Sequence, residues 1–221
     1  MNNWSSFLSH KPRIYGTCLL ALAAICASIL FSSFMIWNEA RPGHQWQDPI
    51  LSLFNPIEAS LAIGLLTNGT IAVAMIVLFR RPYDTVYFFF AALCIIVLRT
   101  MTLYFVPLEP PATILPLADP ILETTFYGGR VLLKDLFFSG HTANLMLVGF
   151  LVRGKPFKAS VHCIALLVGC LLILQHVHYF ADVAAAPFFA IIAYKGAVWL
   201  GNHTLLRGET GHCRDGSIFS S

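Results

Sequence analysis

The chain has 221 residues, of which 57% are apolar and only 11% charged, with a formal net charge of +3 at pH 7. Soluble domains carry roughly 25% charged residues, so there is too little polar surface here to coat a globule. That excludes a soluble enzyme, a disordered chain and a nucleic-acid binder, and predicts an all-α, polytopic membrane protein.

A helix needs about 20 apolar residues to cross a hydrocarbon core of roughly 30 Å. Six stretches are predicted to do so: Ile14 to Trp37, Pro56 to Phe79, Thr85 to Phe105, Leu136 to Val152, Ser160 to Tyr179 and Val183 to Leu200. Residues 1–13 then form an amino-terminal segment, 14–200 one transmembrane domain and 201–221 a carboxy-terminal tail. The first stretch is too long for a signal-peptide core and lacks a small-residue cleavage site. The fourth is short and polar at its start. Cys18, Cys26, Cys94, Cys163 and Cys170 lie inside apolar runs and Cys213 in the tail, which reads as buried small residues and not as a disulfide framework.

Basic residues set the orientation. Lys11, Arg13, Arg80, Arg81, Arg153, Lys155, Lys158, Arg207 and Arg214 fall on one side, against Arg41, Arg130 and Lys134 on the other. Both termini are therefore expected in the cytoplasm. Eight of the eleven acids, from Glu39 to Asp182, lie at or near the far side. One long connection, Val106 to Asp135, carries Pro107, Pro110, Pro111, Pro116 and Pro120; loops of that length are often functional.

Ionisable groups within spans are functional candidates by default. Ser139-Gly140-His141-Thr142 opens the fourth span, His178 and Asp182 close the fifth, and Arg99 sits in the third. His178 and Asp182, four residues apart, share a helix face if one helix runs through both. The predicted topology puts His141, His178 and Asp182 near the outer surface. Arg99 lies about fifteen residues up the third span, a rise of roughly 22 Å, and so reaches the same depth.

A carboxylate beside an imidazole fixes its tautomer and raises its basicity, and a second imidazole can hold or give a proton. Together they describe nucleophilic catalysis. A helix amino terminus at Gly140 offers N–H groups to an anion, and Arg99 suits a phosphate, so an anionic phosphate ester is the expected substrate. Arg99 also reads as a structural cation paired with an acid. His162 and His176 read as packing residues, and His203, His212 and Cys213 as a weak cluster in the tail. His141, His178 and Asp182 match a zinc triad by type, but no strong further ligand is evident; no metal and no cofactor are expected.

Asp135-Leu136-Phe137-Phe138-Ser139-Gly140-His141-Thr142 resembles the G-D-Y-x-Y-S-G-H-T segment of the sphingomyelin synthase family, within the phosphatidic acid phosphatase type 2 superfamily. His178-Tyr179-Phe180-Ala181-Asp182-Val183 resembles that family's H-Y-T-x-D-V segment. Leu98-Arg99-Thr100-Met101-Thr102-Leu103-Tyr104-Phe105-Val106-Pro107 is similar to its R-C-x-T-M-x-V-T-x-L-P-V-P stretch, and Gln47-Asp48-Pro49 weakly resembles its L-P-D segment. The resemblance spans about residues 44 to 200, with the motifs in order.

The superfamily's phosphatases carry K-x6-R-P, P-S-G-H and S-R-x5-H-x3-D. Here no lysine lies seven residues before Arg81-Pro82, Phe138 replaces the proline and Leu172 the arginine. A phosphodiester monoanion needs less cationic clamping than a phosphomonoester dianion, so these departures favour a phosphodiester lipid. The synthases' glycine before Asp135 is Lys134, and the acid before the second histidine is Val177. The loop after the third span is shorter than theirs, with Asp119 and Glu123 as stand-ins for its acids.

The resemblance implies a six-helix bundle catalysing lipid phosphotransfer at an outward-facing site. His178, oriented by Asp182, would attack phosphorus and form a phosphohistidine; His141 would protonate the departing diacylglycerol and then deprotonate the acceptor. Arg99, Asp135, Ser139, Gly140 and Tyr179 would bind substrate. The partners would be the bilayer, a glycerophospholipid donor of phosphocholine or phosphoethanolamine, and ceramide or a diacylglycerol-type acceptor, with no nucleic acid. Short loops suggest a bacterial inner membrane. The same trio with water as acceptor would make a phospholipase C or lipid phosphate phosphatase. A third reading is a non-enzymatic lipid-binding protein whose polar residues serve packing.

Overall fold

The computed structural model describes residues 4–126 and 128–207; His212, Cys213 and Arg214 lie outside the described residues. The chain runs through α1 (Trp4–Leu8), α2 (Lys11–Glu39), a short 3-10 turn (Leu51–Leu53), α3 (Ser60–Phe79), α4 (Pro82–Phe105), α5 (Pro120–Phe126), α6 (Gly140–Leu151), α7 (Lys155–Leu174) and α8 (Phe180–His203). Five of these, α2, α3, α4, α7 and α8, are long and apolar enough to cross a bilayer. The described residues form no strand, only an isolated bridge between His44 and Leu108. The protein is an all-α, polytopic membrane protein.

The fourth expected span is the exception. Its helix, α6, has twelve residues, about 18 Å of rise, well short of the hydrocarbon core. Ser139 stands in a non-helical conformation before it, and the chain turns extended at Val152 after it. Gly154, at φ +91°, makes the reversal in a backbone region that only glycine enters without strain, and Pro156 opens α7. Helix α6 is buried along nearly its whole length, packed by α3, α4, α7 and α8. A helix enclosed by other helices needs neither a span's length nor a lipid-facing side. Composition alone shows it as apolar, so it reads as a full-length span; α6 instead carries the chain, as a short enclosed helix, from beside Arg99 to the end where Arg153 meets Asp84.

Two other expectations change. Helix α7 stops at Leu174 and α8 starts at Phe180, so His178 and Asp182 do not share one helix; His176, with φ 58°, lies in the break between the two helices. The five cysteines among the described residues are not buried either. Cys18, Cys26, Cys163 and Cys170 face outward and Cys94 is half-buried, all as free thiols. An outward face in lipid is as apolar as an interior, so hydropathy cannot separate the two.

At one end, Trp4 of α1 donates its indole N–H to the Phe79 carbonyl (3.0 Å) and Phe7 packs edge-on against Tyr83. There Arg153 grips buried Asp84 with two bonds of 2.9 and 3.1 Å, tying the α6–α7 turn to the start of α4.

At the other end the carboxy termini of α2, α4 and α7 meet the amino termini of α3, α6 and α8, under the two connections 40–59 and 106–139. Gln175, fully buried, staples them. Its side-chain N–H donates to Ser60 Oγ (2.8 Å) and the Leu115 carbonyl (3.2 Å), and its Oε1 accepts the Ala59 N–H (3.1 Å). Lys134 bonds the Arg41 carbonyl (2.6 Å) and Glu109 (2.7 Å), and Glu39 accepts the Leu133 and Lys134 N–H groups. These bonds give Lys134 a bracing role where the resembled family has glycine. The Lys134 bond also holds the Glu109 carboxyl below its usual range, helped by the Gly43 N–H.

Candidate active site

Arg99 projects from the last third of α4 and is 4% exposed. Its guanidinium pairs with Asp135 and donates to the Phe138 carbonyl at 2.5 Å, with the Phe138 and Phe31 rings against it at 5.5 and 5.7 Å. A Cβ on Gly140 would stand 2.7 Å from Arg99 Nη1. Glycine at this position is what lets the guanidinium lie against the start of α6. Both readings of Arg99 meet here: it is a cation paired with an acid, and it also lines a cavity.

The second histidine motif is built at a helix start. Asp182 sits in the first turn of α8, where a carboxylate is favoured by the helix dipole, and is fully buried. Its Oδ2 accepts the Tyr179 N–H (3.1 Å) and lies 3.3 Å from His178 Nδ1. That contact leaves Nε2 as the ring nitrogen available to a substrate. The Asp182 carbonyl accepts the Ser139 N–H (3.1 Å), a backbone bond that ties one histidine motif to the other.

His141, one residue into α6, has its Nε2 3.5 Å from Asp119 Oδ2. Asp119, 4% exposed, is set just before α5: its N–H donates to Glu123 Oε1 (3.0 Å) and its carbonyl accepts the Glu123 N–H (2.9 Å). No local pattern marks Asp119, which lies 22 residues before His141 in the proline-rich connection; only the resemblance drew attention to it, and without a role.

Two cavities meet this cluster. A small one, about 40 Å³, is lined by both histidines and by Asp119, Glu123 and Asp135, with Ile114, Leu117, Leu132, Leu133 and Val177 around them. A larger one, about 410 Å³, lies between α2, α3, α4 and α6 and is mostly apolar. His141, Asp119 and Asp135 line both. Of the expected substrate-binding residues, Arg99, Gly140 and Asp135 line the larger cavity. Ser139 and Tyr179 line neither. Ser139 is buried with its hydroxyl on Thr142 Oγ1 (3.2 Å). The Tyr179 hydroxyl donates to the Glu109 carbonyl (2.9 Å) and accepts the Trp46 N–H (3.3 Å). Both brace the site from behind.

His176 and His162 stand apart from this cluster. His176 contacts Thr113 Oγ1 through Nδ1 (2.5 Å) and has its pKa lowered by burial; His162 packs on Phe150. Among the described residues no three of His, Cys, Asp and Glu gather closely enough to hold a metal ion. No protein-family model, curated protein or solved structure matches the chain.

Proposed function

We propose that this protein is a membrane lipid phosphotransferase of the sphingomyelin synthase type, within a phosphatidic acid phosphatase type 2-like fold. It moves a phosphocholine or phosphoethanolamine headgroup from a glycerophospholipid to ceramide or a similar lipid alcohol. The observation that carries this reading is that His141 and His178, each beside its own carboxylate, line one small chamber. That chamber shares His141 with an apolar cavity of a size usual for ligand sites.

In the first half-reaction His178 Nε2 attacks phosphorus, the bond from phosphorus to the diacylglycerol oxygen breaks, and His141 gives that oxygen its proton. Asp182 stabilises the imidazolium that develops on His178, and Asp119 holds the His141 ring in place by its Nε2. In the second, His141 takes the proton of the acceptor's primary hydroxyl while its oxygen attacks the phosphohistidine, which frees His178. Arg99 faces the phosphodiester with its charge partly offset by Asp135, in keeping with a monoanion. Asp119 and Glu123 add acidic character to the chamber, which suits a zwitterionic headgroup with a cationic end. Both termini cytoplasmic and the site on the outer face complete the proposal.

The test is purified protein in vesicles containing phosphatidylcholine or phosphatidylethanolamine, with and without ceramide. Headgroup transfer to ceramide supports the reading; rapid release of free headgroup without ceramide product would favour the hydrolase.

A further inference from the structure

The larger cavity contains polar side chains that no catalytic step uses. Thr67 and Asn68 reach it from α3 and Asn144 from α6. Thr67 is 4% exposed, and its hydroxyl oxygen has no hydrogen-bond partner among the described residues. Elsewhere in the long helices a hydroxyl is satisfied by the carbonyl one turn back: Thr17 on Arg13 (2.8 Å), Ser28 on Ala24 (2.9 Å), Ser33 on Ile29 (3.2 Å) and Thr100 on Ile96 (2.8 Å). Thr67 does not use that default. Asn68 and Asn144 line the same cavity, and neither carboxamide bonds another described residue. Polar groups left unsatisfied at membrane depth are costly. Three facing one cavity call for a ligand that supplies partners.

Their placement says which part of a lipid they meet. Asn144 is three residues after His141 on α6, just under one helical turn and about 4.5 Å deeper. A lipid whose primary hydroxyl rests at His141 puts the next two carbons of its backbone at that depth. A carboxamide must both give and accept hydrogen bonds to be satisfied, and so must a hydroxyl. The backbone of a diester glycerolipid only accepts. An N-acyl amino alcohol, with an amide N–H, an amide carbonyl and a neighbouring hydroxyl, does both.

We infer that Thr67, Asn68 and Asn144 form a polar shelf below His141 that reads the lipid backbone and selects an N-acyl amino alcohol over a diacylglycerol. The inference rests on the reading of His141 as the residue that meets the acceptor hydroxyl. It adds which residues of this chain discriminate between acceptors and by what chemistry.

The experiment measures equilibrium binding of a fluorescent short-chain ceramide and its matched diacylglycerol to the full chain in nanodiscs. It is done in a His178→Ala background, so that no turnover consumes the probe. Ceramide is expected to bind roughly tenfold more tightly than the diacylglycerol, about what one well-made hydrogen bond contributes. Thr67→Val and Asn144→Leu are each expected to remove most of that preference, while the diacylglycerol binds as before and Thr67→Ser keeps the preference. Thr67→Val and Thr67→Ser differ by one hydroxyl, so this pair carries the test even if Asn144→Leu does not fold. Equal binding of the two lipids, or a preference that survives in folded Thr67→Val, would overturn the shelf. Selective binding lost in Thr67→Val, in a protein whose unmodified form transfers no headgroup, would retain the shelf and remove the proposed reaction instead.

Discussion

His178 and Asp182 meet across a helix boundary. Their side chains stand 3.3 Å apart, with His178 in the turn after α7 and Asp182 in the first turn of α8. One carboxylate oxygen thus orients the imidazole and also accepts the Tyr179 N–H that starts α8. Imidazole orientation and helix initiation are coupled through one atom.

Asp182→Asn separates the two roles. Asparagine keeps an acceptor for the Tyr179 N–H, so stability should change by no more than about 1 kcal/mol. It no longer holds the His178 tautomer or stabilises its cation, and kcat is expected to fall by roughly 10³ to 10⁴. Steady-state transfer rates alongside thermal melting in detergent check both halves.

Asp119→Asn tests the partner that the structure adds. The 3.5 Å contact with His141 holds the imidazole by Nε2. Its loss is expected to slow transfer by about 100-fold. Asp119→Glu should restore part of the rate. A transfer rate undiminished in folded Asp119→Asn would remove Asp119 from the proposed reaction.

Gly140→Ala would press a methyl group against the Arg99 guanidinium, 2.7 Å away in the present geometry. Overpacking of this kind costs about 1–3 kcal/mol. Asp135→Leu leaves a buried cation unpaired and should cost about 3–5 kcal/mol. Arg99→Met combined with Asp135→Leu should cost less than Asp135→Leu alone, because no buried charge is left uncompensated. Melting of the three variants measures the order.

Acid should loosen the end of the bundle that holds the site. Burial lowers the pKa of His176, so below the ordinary imidazole value of about 6.5 the unfolded chain binds a proton that the folded chain resists. Stability is therefore full above that value and is lost as pH falls towards the depressed folded pKa. Glu109, also lowered, acts in the same direction below the ordinary carboxyl range. Melting between pH 8 and 5 should show a decline, shallower in His176→Phe. A flat profile in the parent protein would contradict this.

The membrane class and most helix limits were legible because apolar run length governs them directly. Predicted and observed ends of the third span coincide at Phe105, where the proline-rich connection begins. Helix α6 was legible as apolar and polar-tipped but not as enclosed, since enclosure depends on neighbours that arrive from elsewhere in the chain. The pairing of His178 with Asp182 was legible from spacing, although the expected cause, one continuous helix, is not the one observed. Asp119, Gln175 and the polar residues of the large cavity were not legible as a group. Their meaning depends on which side chains find partners, and that is decided by tertiary packing.

The most direct measurement is intact-lipid mass spectrometry on vesicles holding the purified protein, ceramide and phosphatidylcholine or phosphatidylethanolamine labelled in the headgroup. Labelled headgroup is expected on ceramide together with unlabelled diacylglycerol, and neither product with His178→Ala. Label appearing only as free phosphocholine or phosphoethanolamine, or transfer undiminished in His178→Ala, would contradict it.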